Sequence, residues 1–430
     1  MEARDPRRDR LAFSVVTAVF FMWGFITVLN DVLVPHLKSV FALDYTQAAL
    51  IQFCFFGAYF LMSLPAGKLL SLTGYKNSVV IGLAVTGIGA LGFLPAASLL
   101  SYPLFLAALF VLASGITLLQ VAANPYVSLL GPPHGASSRL NLSQAFNSLG
   151  TAIAPKFGGL LILAGAVLTP VALAQLTPDQ QAAYQLQQAH SVQLPYIGIA
   201  VTLFLLAVVV HLFKLPSIQG AEDTSTGSHP FRDALRHRHL LFAVIGIFLY
   251  VGAEVSIGSF MINYISLPGI GDMPEARAAG YVSLYWLGAM IGRFVGAALL
   301  QKVDSRRLLA LFALVAASLV LATMASSGML AVWAIVAVGL FNSIMFPTIF
   351  TLGIEGLGPL TGRGSSLLVM AIVGGALLPL AQGKLADSVG LHHAFVLPLL
   401  CYLYILFYAL KGSQHPGAGA AATPTVRAHG

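Results

Sequence analysis

A helix needs about 20 consecutive apolar residues to cross a bilayer, and this chain supplies twelve such runs, one after another. They can be drawn at 11–37, 46–72, 77–97, 102–128, 141–166, 193–213, 237–265, 277–301, 306–325, 329–352, 364–386 and 391–411. No water-soluble core could absorb that much apolar helix. Composition agrees: charged residues make up 9% of the chain and mean hydropathy is +0.86, against about 25% charge in a soluble globular protein. The expected fold is an all-α polytopic membrane protein of twelve transmembrane helices. The basic N-terminus, with Arg4, Arg7, Arg8 and Arg10, precedes a run too long for a signal peptide, so the first span is read as retained. The two cysteines, Cys54 and Cys401, lie in apolar runs and read as buried thiols. The net charge of +7 points to no nucleic-acid partner, because the basic residues cluster at span ends.

The longest polar interval, 214–236, separates the sixth run from the seventh and reads as a cytoplasmic linker. The expected domains are therefore 1–213, an N-terminal six-helix bundle, and 237–411, a C-terminal one. A disordered tail is expected over 412–430. Internal repetition supports this division. The run Gln120 to Gly131, QVAANPYVSLLG, is echoed 222 residues later by Asn342 to Gly353, NSIMFPTIFTLG. The amide, the proline, a leucine and the glycine register. A second echo, Leu69, Leu70 and Lys76 with Leu299, Leu300 and Arg306, has an offset of 230. Parallel repeats of this kind form one known transporter plan, with substrate bound near the midplane between the halves. Lys and Arg fall mainly in alternate loops, including Lys68, Lys76, Arg139, Lys214, Lys302, Arg306, Arg307 and Arg363. By the positive-inside rule both termini are cytoplasmic in a bacterial-type inner membrane.

Asp31 is the acid of the first span. A charge at membrane depth costs several kcal/mol and normally faces a partner or a watery cavity, so Asp31 is the leading functional candidate. The repeat carries its position close to Glu254, the acid of the seventh span. The other polar groups within spans are mostly amides: Asn30, Gln52, Gln120, Asn124, Gln144, Asn147, Asn263, Asn342 and Gln382. Amides present donors and acceptors together, which suits a neutral polyol better than an anion. Gln120 and Asn124 are four apart, and Gln144 and Asn147 three apart, so each pair shares a helix face. Trp23, Phe25, Tyr126, Tyr264, Tyr285, Trp286 and Phe346 are candidates to stack on a sugar ring. Of the basic residues inside spans, Lys156 has no obvious role, and Arg293 is expected to snorkel to its nearby membrane surface.

These segments resemble the major facilitator superfamily, and within it the fucose permease family of sugar–cation symporters, especially its glucose/galactose branch. The similarity runs nearly from Phe20 to Leu410. It is carried by Leu29-Asn30-Asp31 with Pro35, by Gln120 to Tyr126, by Arg139 to Gly150, by Tyr250 to Glu254, by Gly292-Arg293-Phe294 and by Phe346 to Gly353. The resemblance implies that Asp31 is the cation-linked acid and that Gln144 and Asn147 touch sugar. There are departures. Gln120 stands where fucose permeases carry a glutamate, Glu254 where they carry a glutamine, Phe346 for a tyrosine and Val28 for an asparagine. The second acid has thus moved to the opposite half. The superfamily loop after the second span is reduced to Gly67-Lys-Leu-Leu-Ser-Leu-Thr-Gly-Tyr-Lys76, without its usual acid.

The expected activity is import of a neutral hexose, glucose or galactose, coupled to H+ or Na+ by alternating access. Asp31 and Glu254 are the expected cation-coupling acids, and Asp31 with Asn30 the oxygen ligands if the ion is sodium. The expected substrate contacts are Asn30, Gln120, Asn124, Gln144, Asn147, Glu254, Asn263, Trp286 and Asn342. No cofactor is expected, and the chain is expected to act as a monomer. Fucose or N-acetylglucosamine symport and drug export on the same fold are the alternatives. No G-x-x-x-x-G-K-[ST] loop occurs, which argues against ATP-driven transport. A literal G-x-G-D, Gly269 to Asp272, is the remote sign of an intramembrane enzyme, but it lies in a polar loop beside Pro268 and Pro274 and reads as a turn.

Overall fold

Among the described residues the apolar runs form helices, and the turns between them fall at polar breaks. The computed structural model describes the backbone of residues 6–40, 45–161, 175–177, 179–181, 183–184, 193–213, 215–216 and 231–414, without side chains at 6, 29–49 and 157–161. Helices α1 (Pro6–Val40), α2 (Tyr45–Ser98), α3 (Tyr102–Leu129), α4 (Ala136–Leu161) and α5 (Gln193–Leu212) form the first half. Helix α2 is two antiparallel arms, because Gly74 adopts φ 74°, ψ 173° and reverses the chain. That left-handed φ is open to glycine at little cost. The second half comprises α6 (Arg238–Ile265), α7 (Glu275–Leu299), α8 (Ser305–Ala325), α9 (Gly328–Asn342), α10 (Met345–Ile354), α11 (Thr361–Met370), α12 (Gly374–Val389) and α13 (Val396–Phe407). Pairs α9–α10 and α11–α12 are each one span with a break inside, so the described residues make twelve spans in two six-helix bundles. Among the described residues there is no strand. Helix α13 runs on through a π-helical turn to Gly412, and Ser413 is buried.

Large side chains are exposed along most spans, Leu61, Leu205, Leu330, Leu400 and Leu410 among them. On a soluble protein such a surface would aggregate; around a bundle it is the face that meets lipid. Within the bundles close packing falls to small residues, as membrane helices require. Helix α1 packs on α4, α2 on α3 and α5, α6 on α12 and α13, and α7 and α8 on α9.

The halves meet through α4 against α7 and α10, and through α2 and α3 against α11. The seam is polar and uncharged toward the end where α3, α7 and α10 finish and α4 and α11 begin. Ser137 Oγ and Thr351 Oγ1 share a hydrogen bond of 2.7 Å, Ser138 Oγ donates to the Ala297 carbonyl at 2.6 Å, and Asn141 Nδ2 donates to Thr348 Oγ1 at 3.4 Å. Neutral pairs of this kind contribute about 1 kcal/mol each, so the seam is a weak closure made of several parts. That end also carries Arg139, Lys302, Arg306, Arg307 and Arg363. A cleft of about 710 Å³ opens there between the halves, lined by Ser128, His134, Lys302, Asp304, Glu355 and Thr361 among others. It holds none of the amides expected to bind sugar.

The G-x-G-D segment is a turn. Gly269 has φ 82° and Asp272 φ 46°, and Gly271 N–H donates to the Ile265 carbonyl to close it.

Candidate functional site

Helices α3 and α4 form a hairpin whose hinge is fixed by Arg139. The last carbonyls of a helix lack intrahelical partners. Arg139 Nη2 takes the Ser128 carbonyl at 2.6 Å, Nε takes Val127 at 3.2 Å, and Nη1 takes Pro132 beyond the helix at 2.9 Å. The hairpin so held brings the two amide pairs together. Gln144 Nε2 donates to Asn124 Oδ1 at 3.3 Å, and Gln120 Nε2 donates to the Tyr59 hydroxyl at 2.7 Å. Asn147 Nδ2 donates to the Phe20 carbonyl of α1 at 2.9 Å. All four amides are buried, and both Gln120 Oε1 and Asn124 Nδ2 have no hydrogen-bond partner. An unpaired buried amide group costs roughly 1–3 kcal/mol. The cluster therefore holds one acceptor and one donor in want of hydroxyls.

A second polar group lies in the other half. The Tyr250 hydroxyl donates to Glu254 Oε1 at 2.8 Å and also reaches the Asn342 carbonyl at 3.0 Å. Asn342 Nδ2 donates to the Tyr285 hydroxyl at 2.7 Å, and that hydroxyl points at the Glu254 carbonyl at 3.4 Å. Because Tyr285 spends its proton on a carbonyl, the Asn342 amide must present nitrogen to it. Its Oδ1 is left without a partner. The repeat is thus chemical as well as sequential. Gln120 and Asn342 occupy matching positions, and each gives its amide nitrogen to a tyrosine of a neighbouring span. The sequence signal for Tyr59 is its pairing with Tyr285 at an offset of 226.

Arg293 joins the two groups, contrary to the expectation that it snorkels. Its guanidinium is turned inward, with Nη2 3.8 Å from Glu254 Oε1, Nε 3.3 Å from the Ser343 carbonyl, and Nη1 hydrogen-bonded to Ser148 Oγ of α4. The Ser343 carbonyl is available because Pro347, four residues on, has no N–H to donate to it. Pro125 frees the Val121 carbonyl in the same way, and Ser365 Oγ of the opposite half takes it at 2.8 Å. The two prolines of the repeat each create an acceptor that a distant residue fills.

Not every expected residue joins. The backbone of Asn30 and Asp31 lies on α1, but their side chains fall outside the described residues. Asn263 is exposed near the end of α6, nine residues past Glu254, roughly 14 Å along the axis at 1.5 Å per residue. Trp286 is 44% exposed and edge-on to Tyr285, with ring centres 5.1 Å apart. The Tyr126 hydroxyl donates to the Pro216 carbonyl and the Tyr264 hydroxyl to the Thr323 carbonyl. Lys156 is exposed. Among the described residues no cluster of three or more His, Cys, Asp or Glu forms a metal site. Gln382 is fully buried with both amide atoms unpaired, and none of the hydrogen bonds of either group reaches it. Gln382→Leu is expected to raise the melting temperature in detergent, by ~1 kcal/mol or more of stability, and to leave sugar affinity unchanged. Weaker sugar binding in that variant would bring Gln382 into the site.

The sequence profile of the Major Facilitator Superfamily matches residues 11–379. The chain is 51% identical to a glucose/galactose transporter of Brucella abortus over 96% of this chain and 97% of that one. It is 36% identical to the L-fucose-proton symporter of Escherichia coli K12, over 96% and 95% respectively. The solved structure of the transporter FucP in the outward conformation superimposes with a TM-score of 0.89 at 36% identity, covering 95% of this chain and all (100%) of that one.

Proposed function

The chain belongs to the Major Facilitator Superfamily, and we propose that within it this protein is a sugar:cation symporter taking up a neutral hexose, glucose or galactose. The observation that carries the substrate class is the buried amide cluster Gln120, Asn124, Gln144 and Asn147, with one acceptor and one donor unpaired. It offers hydroxyl partners and no positive charge for an anion. The relatives favour glucose and galactose over fucose, since the 51% match bears the former name and the 36% match the latter.

Residues 1–213 and 237–411 are the two moving bundles, joined by 214–236 and followed by a tail. The protein sits in an inner membrane with both termini cytoplasmic, on the strength of the basic loops. The polar seam then faces the cytoplasm, and the similarity to a transporter solved in the outward conformation supports an outward-facing state. Asp31 and Glu254 are the coupling acids. Neutralising them removes much of the cost of carrying charge through the membrane while the bundles rock. A proton suits Glu254 better than sodium, because the Arg293 guanidinium lies beside that carboxylate. Both ions bring one positive charge, but sodium also needs several oxygen ligands around it where the guanidinium stands, whereas a proton needs one carboxylate oxygen.

The test is uptake by the purified protein in proteoliposomes. An inward proton gradient is expected to drive accumulation of glucose or galactose, and a sodium gradient alone is not. Asp31→Asn is expected to abolish accumulation while sugar–sugar counterflow persists, since counterflow needs no net proton movement. Accumulation that survives in Asp31→Asn overturns the coupling assignment. A competition series of glucose, galactose, fucose and N-acetylglucosamine fixes the sugar.

A further inference from the structure

Glu254 and Arg293 form a buried ion pair in which neither side chain is more than 14% exposed. Such a pair is a poor stabiliser, because both ions lose water. Its position is informative, because the guanidinium makes three contacts that belong to three different parts of the machine. One is the acid. The second is the Ser343 carbonyl, at the break between α9 and α10 that Pro347 creates. The third is Ser148 Oγ on α4, in the opposite half and adjacent to Asn147 of the amide cluster. Close by, Phe146 and Phe294 meet edge-to-face across the same seam, with ring centres 5.8 Å apart.

We propose that Arg293 is the positioning residue that converts protonation of Glu254 into release of the contact between the halves. The proposal rests on reading Glu254 as a proton carrier. With Glu254 ionised, its charge steadies the guanidinium where it grips Ser148 and α4 stays on α7. A proton arriving from the outer side forms an O–H on the Glu254 carboxyl and cancels that charge. Arg293 is then a buried cation without a counter-ion, which costs far more than an exposed one. The conformation that lowers this cost is one in which the seam opens and water reaches the guanidinium. The same opening lets the Glu254 proton leave to the inner side and restores the ion pair. Among the described residues the ionisable groups facing the acid are Tyr250 on its own helix, Tyr285 and Arg293 from α7, and Tyr402 from α13. Of these, Arg293 is the one that also contacts the other half. Ser148 transmits no charge; its hydroxyl is the handle by which Arg293 holds α4.

The test reads opening of the seam directly. Thr351→Cys, in the full-length protein with Cys54 and Cys401 changed to serine, places a thiol in the closed seam. Its labelling by a charged maleimide is followed in nanodiscs from acid to neutral pH, with and without sugar. In that background the labelling rate, taken relative to that of a free thiol at the same pH because the thiolate is the reacting form, is expected to rise as pH falls. Glu254→Gln is expected to label at neutral pH roughly tenfold faster, the scale of one hydrogen bond to a charged group. Arg293→Gln is expected to lose the pH dependence, and Arg293→Lys to keep part of it. Ser148→Ala is expected to speed labelling while keeping the pH dependence, and to add nothing when combined with Arg293→Gln.

A pH dependence that survives intact in Arg293→Gln, or additive effects of Ser148→Ala and Arg293→Gln, overturns the proposal. The underlying reading fails separately: Glu254→Gln that still accumulates sugar on a proton gradient shows that Glu254 carries no coupling proton. Loss of accumulation in Glu254→Gln together with an unchanged labelling profile in Arg293→Gln rejects the role of Arg293 alone. Counterflow in each variant establishes that the protein is folded.

Discussion

Gly150→Val is expected to prevent assembly of the N-terminal bundle, the largest effect on stability of any single change considered. Gly150 lies on α4 where that helix crosses α1. A Cβ built on it would overlap the Phe21 carbonyl oxygen and sit 2.9 Å from the Phe25 nitrogen. Gly24 on α1 is its counterpart, where a Cβ would overlap the Asn147 carbonyl oxygen. The obstructing atoms are backbone in both directions, so no rotamer change relieves them; the helices must separate. Overpacking a core typically costs about 1–3 kcal/mol. A clash with a neighbouring helix backbone across a whole crossing is expected to exceed that range. The measurement is the yield of monodisperse protein on size exclusion and its melting temperature in detergent. Gly198→Ala, with nothing within 4 Å of the added carbon, is the matched control. A Gly150→Val protein with the yield and melting temperature of the control would show that α1 and α4 do not approach this closely. The crossing has a functional consequence as well, since it sets the helix of Asp31 against the helix of Gln144 and Asn147.

Gln144→Leu is expected to produce the largest loss of sugar affinity with the fold intact. Leucine is close in size to glutamine, so packing is kept while the amide is lost. The Asn124 oxygen loses the hydrogen bond it now accepts at 3.3 Å, and a sugar hydroxyl bound to Gln144 loses its partner. A site built to bond a hydroxyl pays most when one side of that bond is removed, because the remaining group stays buried and unpaired. The expected result is a dissociation constant raised by roughly 10- to 100-fold, the range of one or two such bonds. Equilibrium binding of radiolabelled galactose or glucose measures it, and the melting temperature without sugar verifies the fold. Unchanged affinity in Gln144→Leu would move the substrate away from the α3–α4 hairpin and leave the amide pairs as helix-to-helix bonds. The contrast with Gln382→Leu sorts amides that face substrate from those that are merely buried.

Much of the arrangement proposed as the site is legible in the sequence. The spacing of Gln120 with Asn124 and of Gln144 with Asn147 set two amide pairs on helix faces, and the chain folds those faces together. The echo between Gln120 to Gly131 and Asn342 to Gly353 anticipated two matched halves, and Glu254 fell where the repeat carried Asp31. The inward turn of Arg293 is hidden from the sequence for a definite reason. Distance along its helix measures how far a side chain must reach to find water. It cannot register that Pro347, fifty-four residues away, has freed the Ser343 carbonyl, or that Glu254 lies opposite. The part played by Ser148 was hidden in the same way, since a serine in a membrane helix ordinarily bonds its own backbone.

Sequence alone determined that this chain must live in a bilayer, that it crosses twelve times, that it is built from two related halves, and where its acids and amides fall along each span. Those properties follow from local composition and period, which act on every residue wherever the chain goes. Tertiary structure alone decided which polar atoms find partners and which remain unpaired, and that one guanidinium links an acid, a helix break and the opposite bundle. Those properties depend on separations of a few ångström between residues up to 244 positions apart, and hydrogen bonds and buried charges are decided at that distance.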